Sequence, residues 1–221
     1  MKYYPINLII KNRQCLVVGG GKVALRKVQR LVSCEAIVRI ISPQVISQLV
    51  EFSKKEAIEI LYREVNAADL HGTFMIFAAT NDSKVNRSIA QWAQEKNILC
   101  NIADRPDLSD FTLPSVIEQG DLNISISTNG KSPALSKFIR ERLQNEFGQE
   151  YATLLELMGN LRQILSTEIS CQKKRQKIYQ SLLESQVLSC LKHQDLTTAS
   201  RTCEALTGHC LDKIINIQDC S

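Results

Sequence analysis

A turn of three consecutive glycines is the first stretch of the sequence with the residue types and spacing for chemistry. It reads Gly19-Gly20-Gly21-Lys22-Val23-Ala24, follows a short apolar run and opens a helical pattern. In the dinucleotide-binding fingerprint one glycine permits a tight turn, another lets a pyrophosphate approach the backbone, and a small residue lets the helix pack closely on the sheet. The N–H groups of the helix N-terminus then bind the phosphates. The turn therefore predicts nucleotide binding in preference to a plain turn, with expected cofactor contacts at Gly19, Gly20, Gly21, Lys22 and Val23.

The end of the second strand-like run lacks the acidic residue that usually accompanies this turn. An Asp or Glu about 20 residues on normally holds the ribose hydroxyls of NAD. Here the run ends in Ser42-Pro43-Gln44, and Ser42 or Gln44 is the available ribose contact. Because no carboxylate stands there to repel a 2′-phosphate, the residues alone leave the choice between NAD and NADP open.

A polar cluster, Thr80-Asn81-Asp82, follows the fourth strand-like run. Ligands of open α/β sheets bind at the carboxyl ends of the strands, so these residues are candidate cofactor contacts. A plainer interpretation is that they cap the helix starting near Ser83. The two roles are compatible.

The elements that must position these residues alternate between strand and helix. Apolar runs at residues 14–18, 36–41, 58–62, 74–79 and 98–102 are separated by helical patterns, which predicts a doubly wound parallel sheet covered by helices. After Pro114 the pattern changes: Leu122, Ile124 and Ile126 alternate with polar residues as in a strand with one buried face. Ser132 and Pro133 then predict a helix start.

The remaining chain is predicted to be helical, and three apolar stripes are expected. They comprise Leu135, Phe138, Ile139 and Leu143; Leu154, Leu155, Met158, Leu161 and Leu165; and Ile178, Leu182, Leu183, Val187 and Leu191. The changes of pattern after residues 113 and 149 predict that residues 1–113, 114–149 and 150–221 are separate parts of the chain. A homodimer is expected because residues 122–147 offer a strand and an amphipathic helix without an obvious partner.

Motifs spread over about residues 3–147 carry a resemblance to a known family. The chain resembles the precorrin-2 dehydrogenase (sirohydrochlorin-forming) family of siroheme biosynthesis, including the dehydrogenase part of multifunctional siroheme synthases. Besides the segments above, the matching stretches are Tyr4-Pro5-Ile6, Arg26-Lys27, Asn86, Cys100-Asn101-Ile102-Ala103-Asp104, Phe111-Thr112-Leu113-Pro114 and Ile126-Ser127-Thr128-Asn129-Gly130-Lys131-Ser132-Pro133-Ala134. The resemblance implies an NAD-binding Rossmann-like domain (1–113), a small α+β dimerisation segment (114–149) and an all-helical C-terminal domain (150–221). It also implies NAD as hydride acceptor, oxidation of precorrin-2 to sirohydrochlorin, and Asn101 as a further cofactor contact.

The resemblance also places the family's catalytic aspartate at Asp104. Loss of a hydride must be matched by loss of a proton, which a carboxylate at a strand end can accept. The alternative is that Asp104 only caps a turn before Pro106. The family pattern is not followed at Cys34-Glu35-Ala36 or at Asn129, and residues 151–221 match it only in helical character.

The expected substrate is a polycarboxylate, which requires basic and polar groups around its site. The candidate carboxylate contacts are Arg105, Lys131, Lys137 and Arg140, with Thr128 and Ser132 in the same motifs. Taken singly, each charged residue is more often an ordinary surface charge. Some family members also insert ferrous iron, and the sequence leaves that activity open. Cys190, His193, Cys203, His209 and Cys210 fit no closed zinc pattern, so no metal site is predicted.

The composition excludes several other classes of protein. The net charge of +4 is too small to predict nucleic-acid binding, and no apolar run approaches a membrane span or a signal peptide, so a cytoplasmic protein with eight reduced cysteines is expected. An NAD-sensing regulatory module without catalysis remains the alternative function. An S-adenosylmethionine methyltransferase is disfavoured because no acidic residue ends the second strand.

Overall fold

The computed structural model describes residues 3–103 and 105–215. The chain divides into two compact units, Met1–Leu113 and Pro114–Ser221, and each is described by itself. Among the described residues, no helix has the length and apolar character needed to cross a membrane.

The first unit is a five-stranded parallel sheet with helices on both faces. Its strands are β1 (Gln14–Val18), β2 (Ile37–Ile41), β3 (Glu59–Leu61), β4 (Met75–Ala78) and β5 (Leu99–Ile102), in the spatial order β3-β2-β1-β4-β5. Its helices are α1 (Lys22–Ser33), α2 (Ser47–Lys55) and α3 (Ser83–Glu95), with 3-10 turns at Ala67–Leu70 and Pro106–Leu108. The predicted doubly wound parallel sheet is confirmed.

Alternate residues of the central strand serve the two faces of this sheet. Cys15 and Val17 belong to the apolar cluster that contains α1 and Leu49 of α2. Leu16 and Val18 belong to the cluster that contains the buried face of α3. Because both faces are covered, β1 and β4 are apolar at every position but one, as expected for strands buried on two sides.

The second unit begins with an antiparallel hairpin, β6 (Ser115–Gln119) and β7 (Leu122–Ile126), which packs on α4 (Pro133–Glu146). The alternation of β7 between half-buried and exposed residues confirms the predicted one-sided strand. The sequence reading did not anticipate β6, in which only Ile117 is buried. Gly120 has a φ of 54° and permits the tight turn between the two strands.

Up to residue 215, where the described part of this unit ends, five further helices follow: α5 (Glu150–Glu168), α6 (Gln172–Glu184), α7 (Val187–Lys192), α8 (Leu196–Thr207) and α9 (Leu211–Ile214). The predicted stripe on α5 is wrong at one position, because Leu157 is buried while Leu155 is 38% exposed. Leu183 is likewise exposed, and the predicted stripe that contains it spans two helices, since α6 ends at Glu184 and α7 begins at Val187. On α4, Leu135 and Phe138 are exposed rather than buried.

Candidate functional site

The glycine turn lies at the point where the strand order reverses. From β1 the chain proceeds to β2 and β3 on one side of the sheet, and then returns to form β4 and β5 on the other. Such a reversal opens a crevice at the carboxyl ends of the strands, where ligands bind in open α/β sheets. The turn is anchored on both sides, since the Gly19 N–H donates to Ile41 O at 3.0 Å and the Ala79 N–H donates to Val18 O at 2.7 Å.

Gly19 and Gly20 are required by close backbone approaches. Gly19 has a φ of 123°, and a Cβ there would lie 2.4 Å from the carbonyl oxygen of Ala79. A Cβ on Gly20 would lie 2.0 Å from the carbonyl oxygen of Gln44, and the Ile46 N–H donates to Gly20 O at 2.9 Å. These two glycines therefore hold the turn against the segments that follow β4 and β2.

Gly21 is different, because a Cβ built on it meets no atom within 4 Å. It is the N-cap of α1, where no side chain caps the helix and no acidic residue occupies the first turn. The first N–H groups of a helix have no intrahelical acceptor and carry the positive end of the helix dipole. The open backbone at Gly21 and the uncapped start of α1 together form a cradle suited to a pyrophosphate.

The end of β2 is organised by Ser42. Its side chain is buried, and its hydroxyl donates to the carbonyl oxygen of Gln44 at 2.7 Å. The hydroxyl proton of Ser42 is thus used within the turn, while the Gln44 side chain is exposed. Of the two predicted ribose contacts, Gln44 is the accessible one, and its role stays a prediction.

The segment after β4 is fixed by a network centred on Thr80. The Thr80 hydroxyl donates to Asn86 Oδ1 at 2.7 Å and accepts from the Asp82 N–H at 3.2 Å. The Asn86 amide donates back to Thr80 O at 3.1 Å. Asp82 caps α3, because its Oδ1 accepts from the Lys84 N–H at 2.7 Å and the Val85 N–H at 3.3 Å. The capping interpretation of Asp82 is confirmed, and this does not exclude a ligand contact.

The other predicted contacts on these loops are accessible to varying degrees. Val23 is half-buried, and the exposed side chains are Lys22, Pro43, Gln44, Asn81 and Asp82. All belong to segments that directly follow β1, β2 or β4.

Asn101, on β5, has a structural role. It is buried, and its amide donates to the carbonyl oxygen of Phe111 at 2.9 Å. The Phe111 ring meets Phe77 edge-on, with ring centroids 5.6 Å apart. Asn101 therefore fixes the returning segment, and its predicted contact with a cofactor stays a prediction.

Two side chains of this returning segment cap the outer edge of β5. The Cys100 N–H donates to Asp110 Oδ2 at 2.9 Å, and the Ile102 N–H donates to Ser109 Oγ at 2.9 Å. The Asp110 N–H also donates to Cys100 O at 2.9 Å. These bonds satisfy backbone groups that an edge strand would otherwise leave open.

Asp104, the predicted catalytic residue, lies outside the described residues. Of its neighbours, Ala103 donates its N–H to Ala78 O at 2.9 Å, and Arg105 forms a two-bond pair with Asp107. This pairing with Arg105 lowers the pKa of Asp107 to about 2. The Arg105 guanidinium, predicted to bind substrate, is thus engaged by a carboxylate in this structure.

The other predicted substrate contacts belong to the second unit. Ser132 caps α4 by accepting from the Leu135 N–H at 3.1 Å, and the Thr128 hydroxyl donates to Ser132 O at 3.0 Å. Lys131 is exposed, while Lys137 and Arg140 approach Glu141 at 3.7 Å and 3.4 Å. Such exposed ion pairs contribute little to stability, so both cations can be recruited by a ligand.

The buried thiols behave as small apolar side chains. Burial raises the pKa of Cys15 to about 11 and the pKa of Cys100 to about 12, so both stay protonated near neutral pH. Among residues 3–103 and 105–215, no group of three or more His, Cys, Asp or Glu side chains is placed to hold a metal. His209 instead pairs with Glu168, with 2.9 Å between Nε2 and Oε2.

The sequence did not predict the contacts of three residues of this site. Asn86 was recognised only as part of a motif, Asp110 was not singled out, and the contact of Gly20 with Gln44 was not foreseen. The signal for Asn86 was an amide in a helix stripe otherwise formed by Ile89 and Ala93. The other two depend on contacts between segments distant in sequence.

Comparison with known proteins identifies two family models along the chain. Residues 6–115 match the model described as putative NAD(P)-binding. Residues 119–146 match the model described as sirohaem biosynthesis protein central. The two matches are adjacent, and the boundary between them falls close to the division of the chain into units.

Curated relatives and a solved structure agree with these matches. The siroheme synthase of Thioalkalivibrio sulfidiphilus is 34% identical over 187 residues, which are 85% of this chain and 38% of the relative. That of Nitrosococcus oceani is 33% identical over 187 residues, which are 85% of this chain and 40% of the relative. The chain thus spans about two fifths of the length of these relatives. A structure described as SirC, precorrin-2 dehydrogenase, has a TM-score of 0.73 and 24% identity, and covers 90% of this chain and 100% of its own.

Proposed function

We propose that this chain, which belongs to the sirohaem-biosynthesis family of NAD(P)-binding proteins, oxidises precorrin-2 to sirohydrochlorin with NAD as the hydride acceptor. The observation that carries the proposal is the open Gly21 cradle at the strand-order reversal, in a chain whose relatives are siroheme synthases. The alternative of an NAD-sensing regulatory module has no support among these relatives, which are named as biosynthetic enzymes.

The residues around the cradle fit a dinucleotide. The backbone of Gly21, Lys22 and Val23 would hold the pyrophosphate, Gln44 would meet the ribose, and the segment containing Thr80 would border the nicotinamide side. When bound, NAD supplies the acceptor for a hydride. Lys22, at the first position of α1, adds a cation beside the phosphates.

In the proposed reaction, Asp104 is the catalytic base. Oxidation of the macrocycle removes two hydrogens, one as a hydride and one as a proton, and the Asp104 carboxylate accepts the proton. The substrate carboxylates would be bound by Lys131, Lys137 and Arg140, and by Arg105 once it exchanges its partner Asp107. Thr128 and Ser132 would order the loop that carries Lys131.

We also propose the assembly state and its organisation. Residues 114–149 would form a dimerisation segment and residues 150–221 a helical domain. Support for a homodimer comes from α4, on which Phe138 is 61% exposed and Leu135 is 48% exposed. An apolar helix face of this kind is typical of an interface between identical chains.

The decisive experiment is anaerobic turnover of precorrin-2 with NAD, followed by the absorbance of sirohydrochlorin. Wild type should turn over, and Asp104→Asn should lose about 100-fold or more in kcat, because loss of a general base removes about that factor. Asp121→Asn, an exposed carboxylate on the β6–β7 turn, is the matched control and should retain full activity. Absence of turnover in wild type that nevertheless binds NAD would refute the proposal.

A further inference from the structure

Asn86 is a buried amide where the helix pattern calls for an apolar side chain. The three buried residues of α3 are Asn86, Ile89 and Ala93, all on the face that packs on the sheet. Burying an amide without hydrogen bonds is unfavourable, so an asparagine at such a position needs defined partners. Both of its polar atoms are bonded to one residue, Thr80: Oδ1 accepts from the hydroxyl, and Nδ2 donates to the carbonyl.

The bond from the Thr80 hydroxyl to Asn86 determines where the hydroxyl proton points. The distance to Asn86 Oδ1 is 2.7 Å, against 3.2 Å to the Asp82 carbonyl oxygen, so the single hydroxyl proton is directed to Asn86. A hydroxyl whose proton is used can only accept from a ligand. Toward the crevice, Thr80 is therefore an acceptor, suited to a hydroxyl or an amide N–H.

The segment that these bonds hold lies against the glycine turn. It begins at Ala79, whose carbonyl oxygen is the atom that a Cβ on Gly19 would meet at 2.4 Å. The Ala79 carbonyl carbon and the Thr80 nitrogen lie 2.7 Å and 3.3 Å from the same Cβ position. Movement of the segment after β4 is therefore transmitted directly to the turn after β1.

We propose that Asn86 is a positioning residue of the cofactor site, which holds Thr80 and, through Ala79, the glycine turn in the geometry that binds the dinucleotide. This inference rests on the proposed function, since it assumes that NAD occupies the crevice. Asn86 has no direct contact with the cofactor in this role. Its replacement should weaken cofactor binding and leave the chemical step intact.

The test is steady-state kinetics and NAD titration of Asn86→Leu, an uncharged change of nearly equal size. The KM and Kd for NAD should rise about tenfold, because Thr80 loses both of its bonds to the Asn86 side chain, while kcat at saturating NAD stays within twofold. Gln94→Leu replaces a different side-chain amide by leucine on the exposed face of α3 and should leave all three quantities unchanged. A purely structural role would lower the active fraction, and hence kcat, without raising KM.

Thr80→Val tests the same bond from the other side and covers the case in which Asn86→Leu does not fold. It removes one of the two bonds between Asn86 and Thr80 and should raise the KM for NAD. The double variant should show less than the product of the two single effects, since the two variants share one broken bond. An unchanged KM in either variant would overturn the inference, and so would failure of both to fold, which would make Asn86 a folding residue. If wild type does not bind NAD, the proposed function fails first, and that outcome is distinct from binding that is insensitive to Asn86.

Discussion

At the scale of single residues, the three glycines of the turn have different surroundings. Gly20 lies against the backbone of Gln44 and Val45, with 2.0 Å to the nearest atom from a built Cβ. Gly21 has open space and an extended backbone, with φ −92° and ψ −172°, which any L residue adopts. Replacement by alanine should therefore mainly lower stability at Gly20 and mainly weaken cofactor binding at Gly21.

Gly20→Ala should lower the free energy of unfolding by about 2 kcal/mol, because backbone atoms must move to admit the methyl group. Gly21→Ala should change it by less than about 0.5 kcal/mol, yet weaken NAD binding about tenfold, since the methyl group occupies the open cradle. Urea denaturation and NAD titration of both variants measure these effects. Equal destabilisation by the two substitutions would contradict the assignment of separate roles.

The sequence predicted the chemistry of this turn but not the contacts that support it. Gly19, Gly21 and Ala24 follow a local pattern, so their roles are readable from spacing. Ser42 or Gln44 was predicted to contact a ribose, and the bond that the Ser42 hydroxyl donates to the Gln44 carbonyl oxygen was not. Such a bond depends on how one turn closes, which residue types and spacing do not determine.

At the scale of elements, β5 is an edge strand whose outer side is covered by side chains. Asp110 and Ser109 accept from the N–H groups of Cys100 and Ile102. The segment that carries them also returns Phe111 to the ring of Phe77. Strand β5, which comes just before Asp104 in the sequence, is therefore held in place by residues that come after Asp104.

Asp110→Ala should lower the free energy of unfolding by about 1–2 kcal/mol, because it leaves the buried N–H of Cys100 without an acceptor. Asp107→Ala, three residues earlier, removes only an exposed ion pair and should leave the free energy of unfolding nearly unchanged. Urea denaturation of the two variants tests the difference. If Asp107→Ala proved the more destabilising, the edge-capping role of Asp110 would be wrong.

The strands of the parallel sheet were predicted well, and the hairpin strand β6 and part of the helical stripes were not. The five strands of the sheet follow mainly apolar runs, and all five appear. β6 was missed because only Ile117 of its five residues is buried, which leaves no alternating pattern. The predicted stripe that contains Leu183 crosses the end of α6 at Glu184. No Gly or Pro lies between α6 and α7 to predict that end.

At the scale of the whole molecule, the exposed face of α4 predicts self-association. Phe138→Asp should convert a dimer to a monomer in analytical ultracentrifugation, because it places a charge in the proposed apolar interface. Leu183→Asp makes a similar change at a residue 53% exposed on α6 and should leave the dimer intact. A wild-type protein that is monomeric at micromolar concentration would refute the homodimer.

The position of β1 in the sheet has a consequence for how the protein is made. Residues 19–74 separate β1 from β4, although the two strands are neighbours and Gly19 packs on Ala79. During synthesis at about 5–20 residues per second, one edge of the central strand stays open for seconds after β2 is available. The nucleotide crevice therefore cannot form, and a nascent chain cannot bind its cofactor, until the segment after β4 has left the ribosome.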